Sequence, residues 1–289
     1  MFEDFTIAFI GAGTMGEAII HGLLYGEMLR PDQILAADPR VERIEELATR
    51  YSIQITSSNV EAAREADLLI LAIKPQVFEE VAAELLGQVP PGALVLSILA
   101  GVPIRQIMSG LGIRRVVRAM PNTPARIRQG MTVWTATNEV PEPQIAQARA
   151  ILSALGEEVY VDHEDYLDMA TALSGTGPAY VFLFMEAMID AGVHLGFSRQ
   201  VAAKLVYQTV RGSVEFALAT NEHPAHMRNQ VTSPGGTSAE ALYHLEKGGL
   251  RTVISRAIWA AYRRSVALGS GGKVSRLGGR DPEDLGDNR

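Results

Sequence analysis

Six residues near the amino terminus, Gly11-Ala12-Gly13-Thr14-Met15-Gly16, constrain this chain more than any other segment. They follow the apolar run Phe5–Ile10 and open an amphipathic stretch, so they fall on a strand-to-helix turn. Gly11 suits the tight turn, Gly13 lets backbone approach a pyrophosphate, and Gly16 allows close packing of helix on sheet. A helix that starts here points free N–H groups and its positive dipole end at phosphates. A second strand, Ile34–Ala37, runs into Asp38-Pro39-Arg40. An acid so placed accepts hydrogen bonds from a ribose diol and repels a 2′-phosphate, whereas Arg40 pairs with that phosphate. The two residues argue in opposite directions, so NAD(H) and NADP(H) both stay open, as does a plain helix-capping role for Asp38.

The remaining pattern has two rhythms. Short apolar runs at Phe5–Ile10, Ile34–Ala37, Ile53–Thr56, Leu68–Ile73, Leu94–Ile98, Val116–Met120, Met131–Ala136 and Glu158–Val161 alternate with helical stretches. That alternation is the mark of parallel βαβ units and predicts an α/β, Rossmann-type, doubly wound sheet over residues 1–161. Leu68-Leu69-Ile70-Leu71 is apolar without a break, as a strand covered on both faces requires. After Asp162 only helical patterns occur, at His163–Leu173, Pro178–Leu195, Arg199–Thr220, Pro224–Val231, Ser238–Lys247 and Leu250–Leu268. Residues 162–268 therefore read as an all-α domain. Its segment Ala179–Ala191 is apolar nearly all round, which calls for burial between several helices, and a second subunit would supply that burial. Residues 269–289, rich in glycine and charge, read as a disordered tail.

Composition closes several routes. The chain has no cysteine, which excludes a disulfide scaffold, a thiolate metal site and a cysteine nucleophile. A net charge of −7 argues against nucleic acid as a partner. No uninterrupted apolar run of membrane-spanning length occurs, so we expect a soluble, cytoplasmic protein with no membrane partner. His223 and His226 lack a third ligand of suitable spacing, and no metal is expected. No serine sits on a Gly-x-Ser-x-Gly elbow, which removes one hydrolase class.

Four further segments combine rigid backbone with polar groups. Lys74-Pro75 ends the fourth strand, at the carboxyl edge where such sheets bind ligands. Between Glu84 and Glu139 there is no acid, yet Arg105, Arg114, Arg115, Arg118, Arg126 and Arg128 all occur. This excess either attracts anionic ligands or pairs with acidic helices. Met120-Pro121-Asn122-Thr123-Pro124 is a stiff turn presenting two polar side chains. Ser174–Tyr180 and Thr232–Ser238 are glycine and hydroxyl loops at helix starts, suited to a carboxylate or to ordinary capping by Ser238.

Together the Gly11–Gly16 loop, Lys74-Pro75-Gln76, Ala100-Gly101, Met120–Pro124, Ser174–Tyr180 and Val231–Ser238 resemble the pyrroline-5-carboxylate reductase family. That resemblance implies reduction of 1-pyrroline-5-carboxylate, a small-molecule cyclic imine, to L-proline with NADP(H) or NAD(H). It implies a Rossmann domain followed by an all-α dimerisation domain, a homodimer through those helices, and higher assemblies of such dimers. Asn59, Ala72, Lys74 and Pro75 then join Gly11, Ala12, Gly13, Thr14, Met15 and Gly16 as cofactor positions. Leu99, Ala100 and Gly101 match the nicotinamide-side loop. Ser233, Gly235, Gly236, Thr237 and Ser238 match the substrate loop, with Ser238 as the catalytic hydroxyl. Bacterial members usually carry two threonines where this chain has Thr237-Ser238; a hydroxyl survives, without the methyl that stiffens χ1. Leu99 and Thr176 replace smaller or different residues of the family pattern. Two other readings are a β-hydroxyacid-type dehydrogenase and a non-catalytic, dinucleotide-binding regulatory paralogue. The first is disfavoured because the helix Pro178–Leu195 contains no lysine.

Overall fold

In the computed structural model, which describes residues 2–269, strand β1 (Ile7–Ile10) is buried at every position. Period-two alternation sends Ile7 and Phe9 to one face of the sheet and Ala8 and Ile10 to the other. The chain continues through α1 (Thr14–Tyr25), β2 (Ile34–Ala37), α2 (Val41–Tyr51), β3 (Gln54–Thr56), α3 (Asn59–Arg64) and β4 (Leu68–Leu71). Then follow α4 (Phe78–Leu85), β5 (Leu94–Ser97), α5 (Ile104–Leu111), β6 (Val116–Met120), β7 (Gly130–Ala136), α6 (Glu142–Ser153) and β8 (Gly156–Tyr160). The eight strands form one sheet in the order β3-β2-β1-β4-β5-β6-β7-β8.

Helices cover both faces. Ile19, Ile20 and Leu23 of α1, Ile44 and Leu47 of α2, and Ile151 and Leu152 of α6 pack on the Phe9 side. Phe78 and Leu85 of α4 and Ile107 and Leu111 of α5 pack on the Ile10 side. Each of these large apolar side chains contributes about 1.5–3 kcal/mol on full burial. Double coverage explains the unbroken Leu68–Leu71 run: Leu68 and Ile70 enter one core, Leu69 and Leu71 the other. The direction of winding reverses between β1 and β4, which opens a crevice at their carboxyl ends.

The expected series of parallel units has one exception. β7 pairs antiparallel with β6, Val117 facing Ala136 and Met120 facing Val133. The connection between them is a short extended stretch with a 3-10 turn over Thr123–Ile127. A parallel crossover needs a dozen residues or more, so this link can only return the chain in the opposite direction.

Beyond the sheet come α7 (Asp165–Ala170), α8 (Gly177–His194), α9 (Arg199–Thr220), α10 (Pro224–Gln230), α11 (Thr237–Lys247) and α12 (Leu250–Gly269). Between α7 and α8 the backbone widens into a π turn, Thr171–Gly175, closed by the Thr176 N–H donating to the Thr171 carbonyl at 2.8 Å. Two compact units result: the chain through Thr176 with the end of α12 from Ala260, and the helices of Gly177–Trp259. In the first, the Ser265 hydroxyl of α12 donates to Asp168 of α7 at 2.6 Å. The tail expected from residue 269 onward lies, past Gly269, outside the described residues.

Within the helical unit α8 and α9 share a small core of Ile189, Ala202 and Val206. Gly192 permits that approach, since a Cβ there would stand 3.0 Å from the Ala202 methyl. Met185 and Met188 pack against that core, and much of the remaining apolar stretch stays exposed among the described residues. Val181, Phe182, Leu183 and Phe184 are all exposed in α8, as are Tyr207 and Phe216 in α9. Large apolar side chains exposed in this number, around α8 and along α9, mark an interaction surface rather than a solvated one. By length and composition alone, the stretch Asp165–His194 passes as a possible membrane span, with a mean hydropathy of 1.2. It is interrupted by charges, Asp165, Asp168, Glu186 and Asp190.

Candidate nucleotide cleft and substrate loop

The crevice between β1 and β4 is a cavity of about 810 Å³. The glycine turn forms its floor. Gly11 has φ +95°, and a Cβ there would strike the Ala72 carbonyl at 2.8 Å, so both conformation and space demand glycine. A Cβ on Gly16 would stand 2.7 Å from the Gly11 carbonyl oxygen, which fixes α1 tight against the turn. Nothing lies within 4 Å of a Cβ placed on Gly13, the N-cap of α1, so backbone there faces open space. A narrow glycine turn, an uncapped helix start and an open cleft fit a dinucleotide pyrophosphate.

Two side chains from opposite sides hold the Ala12 peptide in this turn. The Asp38 carboxylate accepts the Ala12 N–H at 2.9 Å, and Arg43 Nε donates to the Ala12 carbonyl at 2.8 Å. Asp38 is 4% exposed and also accepts from the Arg40 N–H (3.1 Å), Nε (2.9 Å) and Nη2 (3.0 Å). Burial pushes the Asp38 carboxyl up, but the Arg40 guanidinium and the Ala12 and Arg40 N–H groups outweigh it and hold its pKa below the ordinary aspartate value. Asp38 is thus not the cap of α2, whose N-cap is Arg40. It is an anchor for the glycine turn, and its acid and its neighbouring base are bonded to each other. Arg43 is itself steadied by Glu17 of α1 and by Glu46.

Of the expected cofactor positions, Gly11, Gly13, Thr14, Asp38, Arg40, Asn59, Ala72 and Lys74 line the cavity together. Asn59 donates to Glu84 at 2.9 Å. Ala12 lies fully buried beneath the turn, and Met15 packs against the core of α1 and α2. Pro75 starts a 3-10 turn just past Lys74. Leu99, Ala100 and Gly101 follow β5 and are not among the cavity walls. There Leu99 is buried, Gly101 has φ +73°, and Glu164 accepts the Ile104 N–H at 2.7 Å. The walls also include Arg43 and Ser57, to which the sequence did not point, and Arg126, one of the six arginines of the acid-free stretch.

The arginine-rich stretch divides by geometry. Arg118 points inward from β6 to Glu164 at 2.7 Å, Arg115 donates to the Gly92 carbonyl, and Arg128 lies 3.8 Å over the Tyr25 ring. Arg126 alone of the six faces the nucleotide cavity. The Pro-Asn-Thr-Pro turn has a structural duty as well: Asn122 donates to the Ser174 carbonyl and accepts from the Met131 N–H, both at 3.0 Å.

In the helical unit, Ser233–Gly236 closes a turn through the Gly236 N–H and the Ser233 carbonyl at 3.0 Å, with Gly235 at φ +70°. A Cβ on Gly236 would stand 2.5 Å from the Ser233 hydroxyl. The N-cap of α11 is Gly236, and no side chain caps it, so the capping alternative for Ser238 does not hold. Thr237 and Ser238 occupy the first turn, where N–H groups have no intrahelical acceptor. Among the described residues no hydrogen bond involves the hydroxyls of Ser233, Thr237 or Ser238. His223 caps α10, accepting from the Ala225 N–H at 3.2 Å, while His226 faces Glu222.

A Rossmann-type sheet with this cleft, joined to a helical unit with an uncovered apolar face, defines a two-part nicotinamide-dependent oxidoreductase. Comparison with known proteins narrows the class. Residues 164–268 match the pyrroline-5-carboxylate reductase dimerisation family, and residues 6–101 match a family described as NADP oxidoreductase, coenzyme F420-dependent. A pyrroline-5-carboxylate reductase of Synechocystis is 44% identical over 266 residues, covering 91% of this chain and 98% of its own. The solved reductase of Coxiella burnetii has a TM-score of 0.85 at 36% identity, over 93% of this chain and 100% of that one. The Plasmodium falciparum enzyme, solved with NADP bound, has a TM-score of 0.86 at 31% identity, with the same coverage of both chains. This chain belongs to the pyrroline-5-carboxylate reductase family.

Proposed function

We propose that this protein works as a soluble, cytoplasmic homodimer that reduces 1-pyrroline-5-carboxylate to L-proline, with residues 1–161 serving the cofactor and 162–268 the substrate and the dimer contact. NAD(P)H, when bound, supplies the hydride that adds to the imine carbon. A protonated cyclic imine is already electrophilic, so the protein's task is orientation rather than strong acid catalysis. The Thr237 and Ser238 N–H groups and the Ser233 and Thr237 hydroxyls hold the substrate carboxylate at the positive end of α11. The Ser238 hydroxyl donates a hydrogen bond to the ring nitrogen of the neutral imine and relays a proton to it; once that nitrogen is protonated, the hydroxyl oxygen accepts its N–H. Gly235 and Gly236 let the loop close without side chains in the way. The exposed Val181–Phe184 stretch of α8 packs on a second copy, and larger assemblies build from that dimer.

The observation that carries this reading is the Ser233–Ser238 turn, whose hydroxyls are uncommitted among the described residues while its backbone is tightly set. Oxidation of NAD(P)H should be rapid with pyrroline-5-carboxylate and near background with 2-keto acids or without substrate. Equal rates with a 2-keto acid would favour a hydroxyacid-type dehydrogenase, and no turnover with either would favour a regulatory role. Ser238→Ala should lower kcat about 10- to 100-fold while cofactor affinity stays unchanged; an unchanged kcat would remove Ser238 from the mechanism.

A further inference from the structure

The Arg126 side chain lines the same cavity as Gly13 and Thr14, although it comes from a segment more than a hundred residues away in sequence. The 3-10 turn that carries it, Thr123–Ile127, packs along α1. Two fastenings set that turn. Ala125 is fully buried against Gly130, where a Cβ would meet it at 2.9 Å, and Asn122 grips the Met131 N–H and the Ser174 carbonyl. At the far end Arg128 is held over Tyr25, near the carboxyl end of α1. Arg126 therefore stands toward the amino end of the same helix, where its N–H groups are free. Its own guanidinium is exposed and makes no hydrogen bond or ion pair among the described residues. The other cavity arginines are engaged: Arg40 with Asp38, Arg43 with Glu17 and Glu46.

We propose that Arg126 is a ligand of the cofactor's pyrophosphate, closing over it from the side opposite Arg40. This rests on the dinucleotide reading of the cleft. Placement decides which phosphate is meant. Asp38, Arg40 and Ser57 gather at the ends of β2 and β3, the side where an adenosine ribose would lie. Arg126 approaches from the turn after β6, beside the start of α1, and so meets the charge that NADH and NADPH share. A planar guanidinium matches two phosphate oxygens at once.

The test is direct binding rather than turnover. Tryptophan quenching or calorimetry with NADH and with NADPH should show about tenfold weaker binding of both to Arg126→Ala. Arg126→Lys should recover part of the loss, and Arg126→Ala should bind with a shallower salt dependence than the unaltered protein. Because the side chain has no partner within the described chain, the thermal midpoint without cofactor should not move. Unchanged affinities, or a lowered midpoint without cofactor in both variants, would overturn the assignment. A loss confined to NADPH would also overturn it, since that would place the arginine on the 2′-phosphate. If the unaltered protein binds neither cofactor, the dinucleotide reading itself fails.

Discussion

Replacing Asp38 with alanine separates the two duties that meet at the end of β2. The carboxylate accepts four hydrogen bonds, three of them from Arg40 and one from the Ala12 N–H. The Arg40 side chain is 61% exposed, so water takes over its half of the ion pair and that contact contributes little, about 0–1 kcal/mol. Ala12 is different. It is fully buried, and without Asp38 its N–H has no acceptor, which costs about 1–3 kcal/mol. The expected loss is therefore about 1–4 kcal/mol, read from urea unfolding at fixed protein concentration because dimerisation adds to apparent stability. Asp38→Asn keeps an oxygen for Ala12 and should recover part of it.

The pH dependence has a definite sign. The folded pKa of Asp38 lies below the ordinary value of 3.8, so its contribution is complete above that value. It fades as the pH falls through the lower, folded pKa. The gap between unaltered and Asp38→Ala proteins should hold steady at neutral pH and narrow only in the acid limb. The same substitution frees Arg40 and removes a carboxylate that opposes a 2′-phosphate, so the ratio of NADPH to NADH affinity should rise, by about fivefold or more. An unfolding midpoint shift worth less than about 0.5 kcal/mol, together with an unmoved cofactor ratio, would refute both the anchor and the selectivity argument.

Two other substitutions probe the frame around the cleft. Gly16→Ala sets a methyl 2.7 Å from the Gly11 carbonyl oxygen, a backbone atom with no rotamer to move; it should cost about 1–3 kcal/mol in thermal unfolding and weaken NADH and NADPH binding alike. Glu164→Gln leaves Arg118, 5% exposed on β6, opposite a neutral amide while preserving an acceptor for the Ile104 N–H. Because Glu164 is itself partly open to water, the loss should be about 1–3 kcal/mol, visible as a lower urea midpoint; a midpoint that does not move would show that Arg118 is satisfied without the charge.

What the sequence reveals about this molecule is what neighbouring residues decide among themselves. All eight apolar runs became strands because each is a short stretch set off by local breakers. The glycine turn was legible for the same reason: Gly11, Gly13 and Gly16 carry their steric requirements within six residues. The antiparallel β7 was legible in principle, because the link after Met120 is too short for a crossover. The π turn at Thr171–Gly175 was not, since a single widened hydrogen bond leaves no periodic trace.

The site separates along the same line. Asp38 and Arg40 looked like rival ribose and phosphate ligands, and two residues apart on one strand end they bond to each other instead. Six arginines in an acid-free stretch read either as one positive patch or as partners for acidic helices. Strand alternation turns Arg118 inward to a glutamate 46 residues later. A left-handed φ of 59° at Arg128 sends that side chain to Tyr25, on a helix a hundred residues earlier. Arg126, between them in sequence, is left over the cleft. Charge composition could count these groups, but only the register of β6 and the seating of the turn after it could assign them. That is why the substitution at Arg126, rather than any other in the stretch, bears on cofactor affinity.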